Sequence, residues 1–236
     1  MNNLHQKKMI LPKKPAIVAI VDHIMSAQRL KDLKKDGADI LEIRVDLIEE
    51  PIDEVMKFIA DIPFIVDIPL IGTVRQTKEN KENRKEIFRQ LLNVVHCVDV
   101  EVDALDAEHI IAQANEKNVT VMVSEHNYKC TPDNNEILSI IQKAVAMGGD
   151  IVKLAFMAQS ESDVTRLLKI TEESKVPLVS ISMGATGTIS RVIAPLFGSL
   201  FTYAFVGESV APGQIPLYQM VDMLSVFFPS RKLTLP

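Results

Sequence analysis

Short apolar runs alternate with amphipathic stretches along the whole chain. The runs at 16–21 (AIVAIV), 39–46 (DILEIRVD), 69–75 (PLIGTVR), 98–103 (VDVEVD), 119–126 (VTVMVSEH), 150–156 (DIVKLAF), 177–184 (PLVSISMG) and 202–207 (TYAFVG) have the length and composition of strands. Helical spacing fills the gaps, at 26–36, 52–61, 81–94, 106–117, 134–147, 161–174, 189–197 and 214–227. In the fifth of these, Ile137, Ile140, Ile141 and Ala144 recur with polar residues between them. Asp133, after Pro132, is a cap for its start, and Gly148-Gly149 is a stop signal at its end.

Eight strands, each followed by a helix, in a chain of 236 residues is the arithmetic of an α/β fold of the single (β/α)8 TIM-barrel type. A doubly wound open sheet is the structural alternative. The barrel is favoured because the repeat is even from end to end, with no change of composition to mark a second domain. Polar residues also gather at the C-terminal ends of the strands, where barrel active sites lie. No glycine-rich phosphate loop follows the first strand. One catalytic domain over 1–236 is expected, with residues 1–14 a short extension and a small strand at Met9–Leu11.

Composition narrows the function classes. The net charge of −5 argues against non-specific nucleic-acid binding. No apolar run reaches the roughly 20 residues that span a bilayer, and the apolar piece near the basic N-terminus is too short for a signal-peptide core. Only two cysteines occur, Cys97 and Cys130, which fits a reducing cytoplasm better than a disulfide framework. No His and Cys cluster has metal-ligand spacing, and neither a metal nor a cofactor is expected.

The candidate chemistry lies at the strand ends. Glu42, Arg44 and Asp46 alternate with Ile43 and Val45, so the strand pattern puts the three charged residues on one face. Arg75 ends the third strand, with Glu79 four residues on; His126 ends the fifth; Arg191 and Gln214 follow the seventh and eighth. Each alone reads as a surface pair or a structural residue. Lys153 does not, because its neighbours Ile151, Val152, Leu154, Ala155 and Phe156 are all apolar, and a buried ammonium is costly without a partner. Together the set suits imine chemistry. A neutral lysine amine attacks a ketone or aldehyde, the protonated imine acidifies the adjacent carbon, and a histidine removes that proton. Nearby arginines favour the neutral amine and nearby acids oppose it. Arginines also hold a carboxylate or hydroxyls, so the expected substrate is a small anionic oxo-compound.

The pieces DILEIRVD, PLIGTVRQTKE, VMVSEHNYKCTP, GGDIVKLAFM, SMGATGTISR and APGQI resemble, in this order and over nearly the whole chain, the type I 3-dehydroquinate dehydratases of the shikimate pathway. The resemblance implies a cofactor-free hydro-lyase, a homodimer without a fused dehydrogenase, that turns 3-dehydroquinate into 3-dehydroshikimate. By this resemblance Lys153 is the imine-forming lysine, His126 the general acid/base and Glu79 the acid that works with it. Glu42, Arg44 and Arg75 match positions that contact substrate hydroxyls or order the site. Arg191 matches the carboxylate-binding arginine, and Gln214 the glutamine of the last loop. Departures are Asn80-Lys81 where many members have two glycines, Val210 where many have serine, Ala19 or Ile20 where a serine often stands near the end of the first strand, and Tyr128 in place of the commoner phenylalanine. The competing readings are another Schiff-base-forming, class I aldolase-like barrel and a non-catalytic ligand-binding barrel. Cys130 is read as an inert structural thiol, and Met183 as a pocket wall.

Overall fold

Alternation along the strands sorts the side chains into two cores. In the computed structural model, residues 8, 9, 11, 12 and 15–229 are described. Eight parallel strands make the barrel: β1 (Ala16–Val21), β2 (Ile40–Arg44), β3 (Leu70–Thr73), β4 (Cys97–Glu101), β5 (Thr120–Asn127), β6 (Ile151–Met157), β7 (Leu178–Met183) and β8 (Phe201–Phe205). A short β9 (Ile215–Pro216) extends β8 through the Ala204–Ile215 pairing. The helices are α1 (Ala27–Lys35), α2 (Ile52–Ile65), α3 (Arg84–Leu91), α4 (Ala107–Glu116), α5 (Asn134–Ala146), α6 (Glu161–Glu173), α7 (Gly184–Gly187), α8 (Ser190–Ile193) and α9 (Leu217–Phe227).

On β6, Val152, Leu154 and Phe156 pack outward with the helices, while Ile151, Ala155 and Met157 join the barrel interior. Lys153 alternates with the outward set and so shares the inner face. The interior is filled by Val18, Ile40, Ile71, Met122, Val179 and Phe201, among others, so the barrel is a packed core rather than a pore. Strand pairing runs β7-β6-β5-β4-β3-β2-β1-β8-β9. Between β7 and β8 no ladder is formed among the described residues. Closure there rests on Leu200 N–H donating to Leu178 O at 2.9 Å and Ser180 N–H donating to Ser199 Oγ at 3.1 Å.

The expected boundaries hold closely for the strands and less well for some helices. Asp133 caps α5 by accepting from Glu136 N–H, and Gly148 ends it at φ 95°, a left-handed backbone that glycine adopts without strain. The stretch 189–197 does not form one helix. It breaks into α8 and a 3₁₀ turn at Ala194–Phe197, where Pro195 lacks the N–H a continued helix needs. Strand β2 stops at Arg44, and Val45–Leu47 is a 3₁₀ turn, so Asp46 leaves the face that Glu42 and Arg44 were expected to share with it. The small strand expected at Met9–Leu11 is not formed at Met9 or Leu11, and Ile10 lies outside the described residues. Instead Met9 is buried in the interior core, with its N–H bonded to Thr120 Oγ1 at 2.8 Å, at the N-terminal end of the barrel.

Candidate active site

The opposite, C-terminal end opens into a cleft. It brings together Glu42, Arg44, Arg75, His126, Lys153, Arg191 and Gln214 from widely separated strands and loops. Met183, Ile20, Ile181 and Val210 add apolar wall, and Tyr128 stands at the rim, stacked on His126 with centroids 6.3 Å apart.

Lys153 is 4% exposed and meets carboxylates rather than arginines first. Its Nζ lies 2.8 Å from Asp99 Oδ2 and 3.4 Å from Glu42 Oε1. These partners answer the cost of burying the ammonium. Glu42 is held in turn by Thr73 Oγ1 at 2.7 Å.

Asp99 went unrecognised in the sequence and is the hub of the site. Both its oxygens accept from Arg75, at 2.8 and 2.9 Å, and Oδ1 also accepts from Ser124 Oγ at 2.6 Å. Burial alone would raise its pKa. The charges of Arg75 and Lys153 outweigh that and hold the carboxyl well below its usual range. The signal was present: in VDVEVD the valines alternate with acids, and the outward packing of Val98 and Val100 turns Asp99 inward.

His126 Nε2 sits 3.4 Å from Arg75 Nη2. Burial, and then the nearby Arg75 and Lys153 charges, push the imidazole well below its ordinary pKa despite the opposing pull of Asp99. At neutral pH it is therefore a neutral base. Arg44 is turned to Asp46, to which it donates at 3.0 and 2.7 Å.

Arg191 is the one site cation with no acidic partner among the described residues. It is 2% exposed, donates from Nη2 to Pro212 O at 3.1 Å, and leaves Nε unpaired. Burial lowers its pKa to about 10. A guanidinium left this way at a cleft wall is a ready seat for an anion. The last loop is pinned beside it. Gln214 Oε1 accepts from Val210 and Ala211 N–H, and Gly213, at φ 72°, approaches so closely that a Cβ would lie 2.5 Å from Gly184 O.

Glu79 is the expected site residue that the structure does not bring in. It lies on an exposed turn after β3, and no hydrogen bond or ion pair joins it to His126 among the described residues. Asn80 explains the placement. Its Oδ1 accepts from Thr77 N–H, its Nδ2 donates to Arg75 O at 2.7 Å, and its backbone oxygen accepts from Asn83 and Arg84 N–H. The turn is knotted on itself, with Glu79 outside. Behind it the buried Arg84 bridges Val74 O, Glu101 and Asp106, while Glu101 accepts from Gln76 N–H at 2.8 Å. Cys130 is exposed, and its Sγ accepts from Asn127 Nδ2 at 3.6 Å.

A family model for type I 3-dehydroquinase matches residues 16–231. The chain belongs to the type I 3-dehydroquinase family. A 3-dehydroquinate dehydratase of Methanocella arvoryzae is 35% identical over 88% of this chain and 95% of its own length. That of Methanococcoides burtonii is 35% identical over 87% and 91%. The crystal structure of the Aquifex aeolicus enzyme superimposes with a TM-score of 0.79 at 30% identity, over 90% of this chain and 99% of that one. The chain is thus a hydro-lyase of the shikimate pathway on a TIM barrel, as the motif order implied. Within the 3-dehydroquinase frame, Val210 lines the cleft where many members carry serine, and the neighbouring Ser209 is exposed and donates to Ala211 O.

Proposed function

We propose that this enzyme dehydrates 3-dehydroquinate to 3-dehydroshikimate through an imine on Lys153. The observation that supports this best is the buried Lys153 amine in a cleft with a neutral histidine and an unpaired arginine. His126, or a water it activates, takes one ammonium proton, and the freed amine attacks the substrate ketone. The new C–N bond replaces the C–O bond, whose oxygen leaves as water. The iminium draws electrons from the adjacent carbon, and His126 removes its proton to give an enamine. The enamine expels the hydroxyl one carbon further on, protonated by His126, and the iminium re-forms. Hydrolysis releases the product ketone and restores the lysine. Each turnover loses one water and consumes no cofactor.

Asp99 takes the place of Glu79 in this scheme as the carboxylate that orders the lysine and, through Arg75, the histidine. Glu42, Arg44 and Arg75 are proposed to meet the substrate hydroxyls, and Gln214 to fix the loop closing over the ring. A relative from Clostridium difficile, 28% identical with a TM-score of 0.80, was crystallised with covalently modified comenic acid. A turnover assay with 3-dehydroquinate, following the rise in conjugated-enone absorbance, tests the activity. Absence of turnover would favour an aldolase-like or binding role.

Arg191 is proposed to grip the substrate carboxylate. Arg191→Ala should raise KM with a smaller change in kcat, because the carboxylate contact is similar in ground and transition states. Arg191→Lys should recover only part of the loss, since a point charge cannot reproduce the bidentate fork. Unchanged KM in Arg191→Ala would reject the assignment.

We also propose a homodimer, with the exposed apolar side chains of α9, Tyr218, Met223, Val226 and Phe227, as its candidate face. Light scattering should give twice the chain mass, and Val226→Asp should reduce it. A monomer in the unsubstituted protein would exclude this.

A further inference from the structure

Besides its two carboxylates, the Lys153 amine has a third neighbour. Nζ lies 4.1 Å from the centroid of the Tyr203 ring, inside the range of cation–π attraction. Tyr203 is on β8, is buried, and lines the cleft. Its hydroxyl is directed elsewhere, 4.0 Å from Met122 Sδ. Burial, reinforced by the charges of Glu42 and Asp99, pushes the phenol well above its ordinary pKa, so it stays protonated. Tyr203 therefore offers the amine a π face and no proton.

Imine formation from an ammonium and a ketone yields an iminium and one water. The C–N bond forms, the C–O bond breaks, and the unit positive charge stays on the same nitrogen. A surrounding that suits the ammonium thus suits the iminium as well. We propose that the Tyr203 ring is a catalytic residue that holds the positive charge at the Lys153 nitrogen, first as ammonium and then as iminium. This inference rests on the imine reading above. The ring favours the two iminium states over the neutral enamine between them and over non-covalent complexes in which the amine has given up its proton. It raises the share of iminium, the species that borohydride reduces. Carboxylates attract the same charge but also accept protons, whereas the ring cannot take the proton that imine formation must keep mobile.

The test uses phenylalanine and a series of progressively fluorinated phenylalanines at position 203, which keep ring shape while draining the π face. Each protein is saturated with 3-dehydroquinate and reduced with borohydride, and the adduct on Lys153 is quantified by intact mass and peptide mapping. Tyr203→Phe should keep adduct within about twofold of the unsubstituted protein. The adduct should then fall step by step with added fluorine, by on the order of tenfold at the end of the series. Tyr203→Leu should fall similarly. An adduct that stays constant along the fluorinated series overturns the proposal while leaving the imine mechanism standing. No adduct in the unsubstituted protein overturns the imine reading itself and this inference with it.

Discussion

Lys153→Ala is expected to reduce turnover to background and to abolish the adduct trapped by borohydride. The loss should exceed the roughly 10²–10⁴-fold that a general acid–base group contributes, because no other described amine reaches the cleft to form the covalent intermediate. The fold should survive. Asp99 keeps its two bonds from Arg75 and its bond from Ser124, and Glu42 keeps Thr73, so neither carboxylate is stranded. Lys153→Met, which preserves most of the volume, guards against a cavity effect. Normal turnover in a folded Lys153→Ala protein, or an adduct mapped to a different residue, would sink the mechanism.

His126→Ala should lower kcat by about 10²–10⁴-fold while part of the borohydride adduct persists, since proton removal follows imine formation. The pH profile carries a sharper signature. A base whose pKa is depressed in the native protein stays unprotonated as pH falls, so the acid limb of kcat/KM should lie well under the ordinary value of about 6.5. Arg75→Gln removes a charge that lowers it and should move the limb upward. Glu79→Gln should leave the limb in place, because the Asn80 knot keeps that carboxylate away. Stability obeys the same sign. Below about pH 6.5 the unfolded chain binds a proton at His126 that the native protein refuses, so stability declines. The decline steepens below about pH 4, where the unfolded chain also protonates Asp99 and the native ion pairs resist. An acid limb at or above 6.5 in the unsubstituted enzyme would contradict the neutral-base assignment.

The barrel was legible because its strands and helices differ in period, and tertiary packing did not override that difference. Lys153 and His126 were legible for a related reason: each is a polar residue at a position the apolar pattern reserves for something else. Asp99 was missed although it obeys the same alternation, because VDVEVD contains so many acids that none looked exceptional. Glu79 took its role from family spacing, whereas its place outside the cleft depends on how the next residue bonds. Asn80 has a side chain that ties the turn to Arg75 O, and a glycine there has none. Asp46 left the inner face because β2 ends two residues before it, a boundary that alternation alone does not reveal.

The sparse closure between β7 and β8 has a mechanical meaning for the enzyme at work. Two hydrogen bonds hold that edge, while the other barrel strands are joined by ladders, so transient opening should begin there. Arg191 rides on the connection that spans the gap, its backbone oxygen bonded to Thr202 Oγ1 of β8 at 2.6 Å. A bound carboxylate on Arg191, with the ring covalently attached to Lys153 on β6, would tie both sides of the edge to one small molecule. Amide exchange at Ser180 and Leu200 should therefore be among the fastest in the sheet of the free protein and slow markedly in the borohydride-fixed adduct. The substrate would then act, for the length of its stay, as the missing stave bond of its own container.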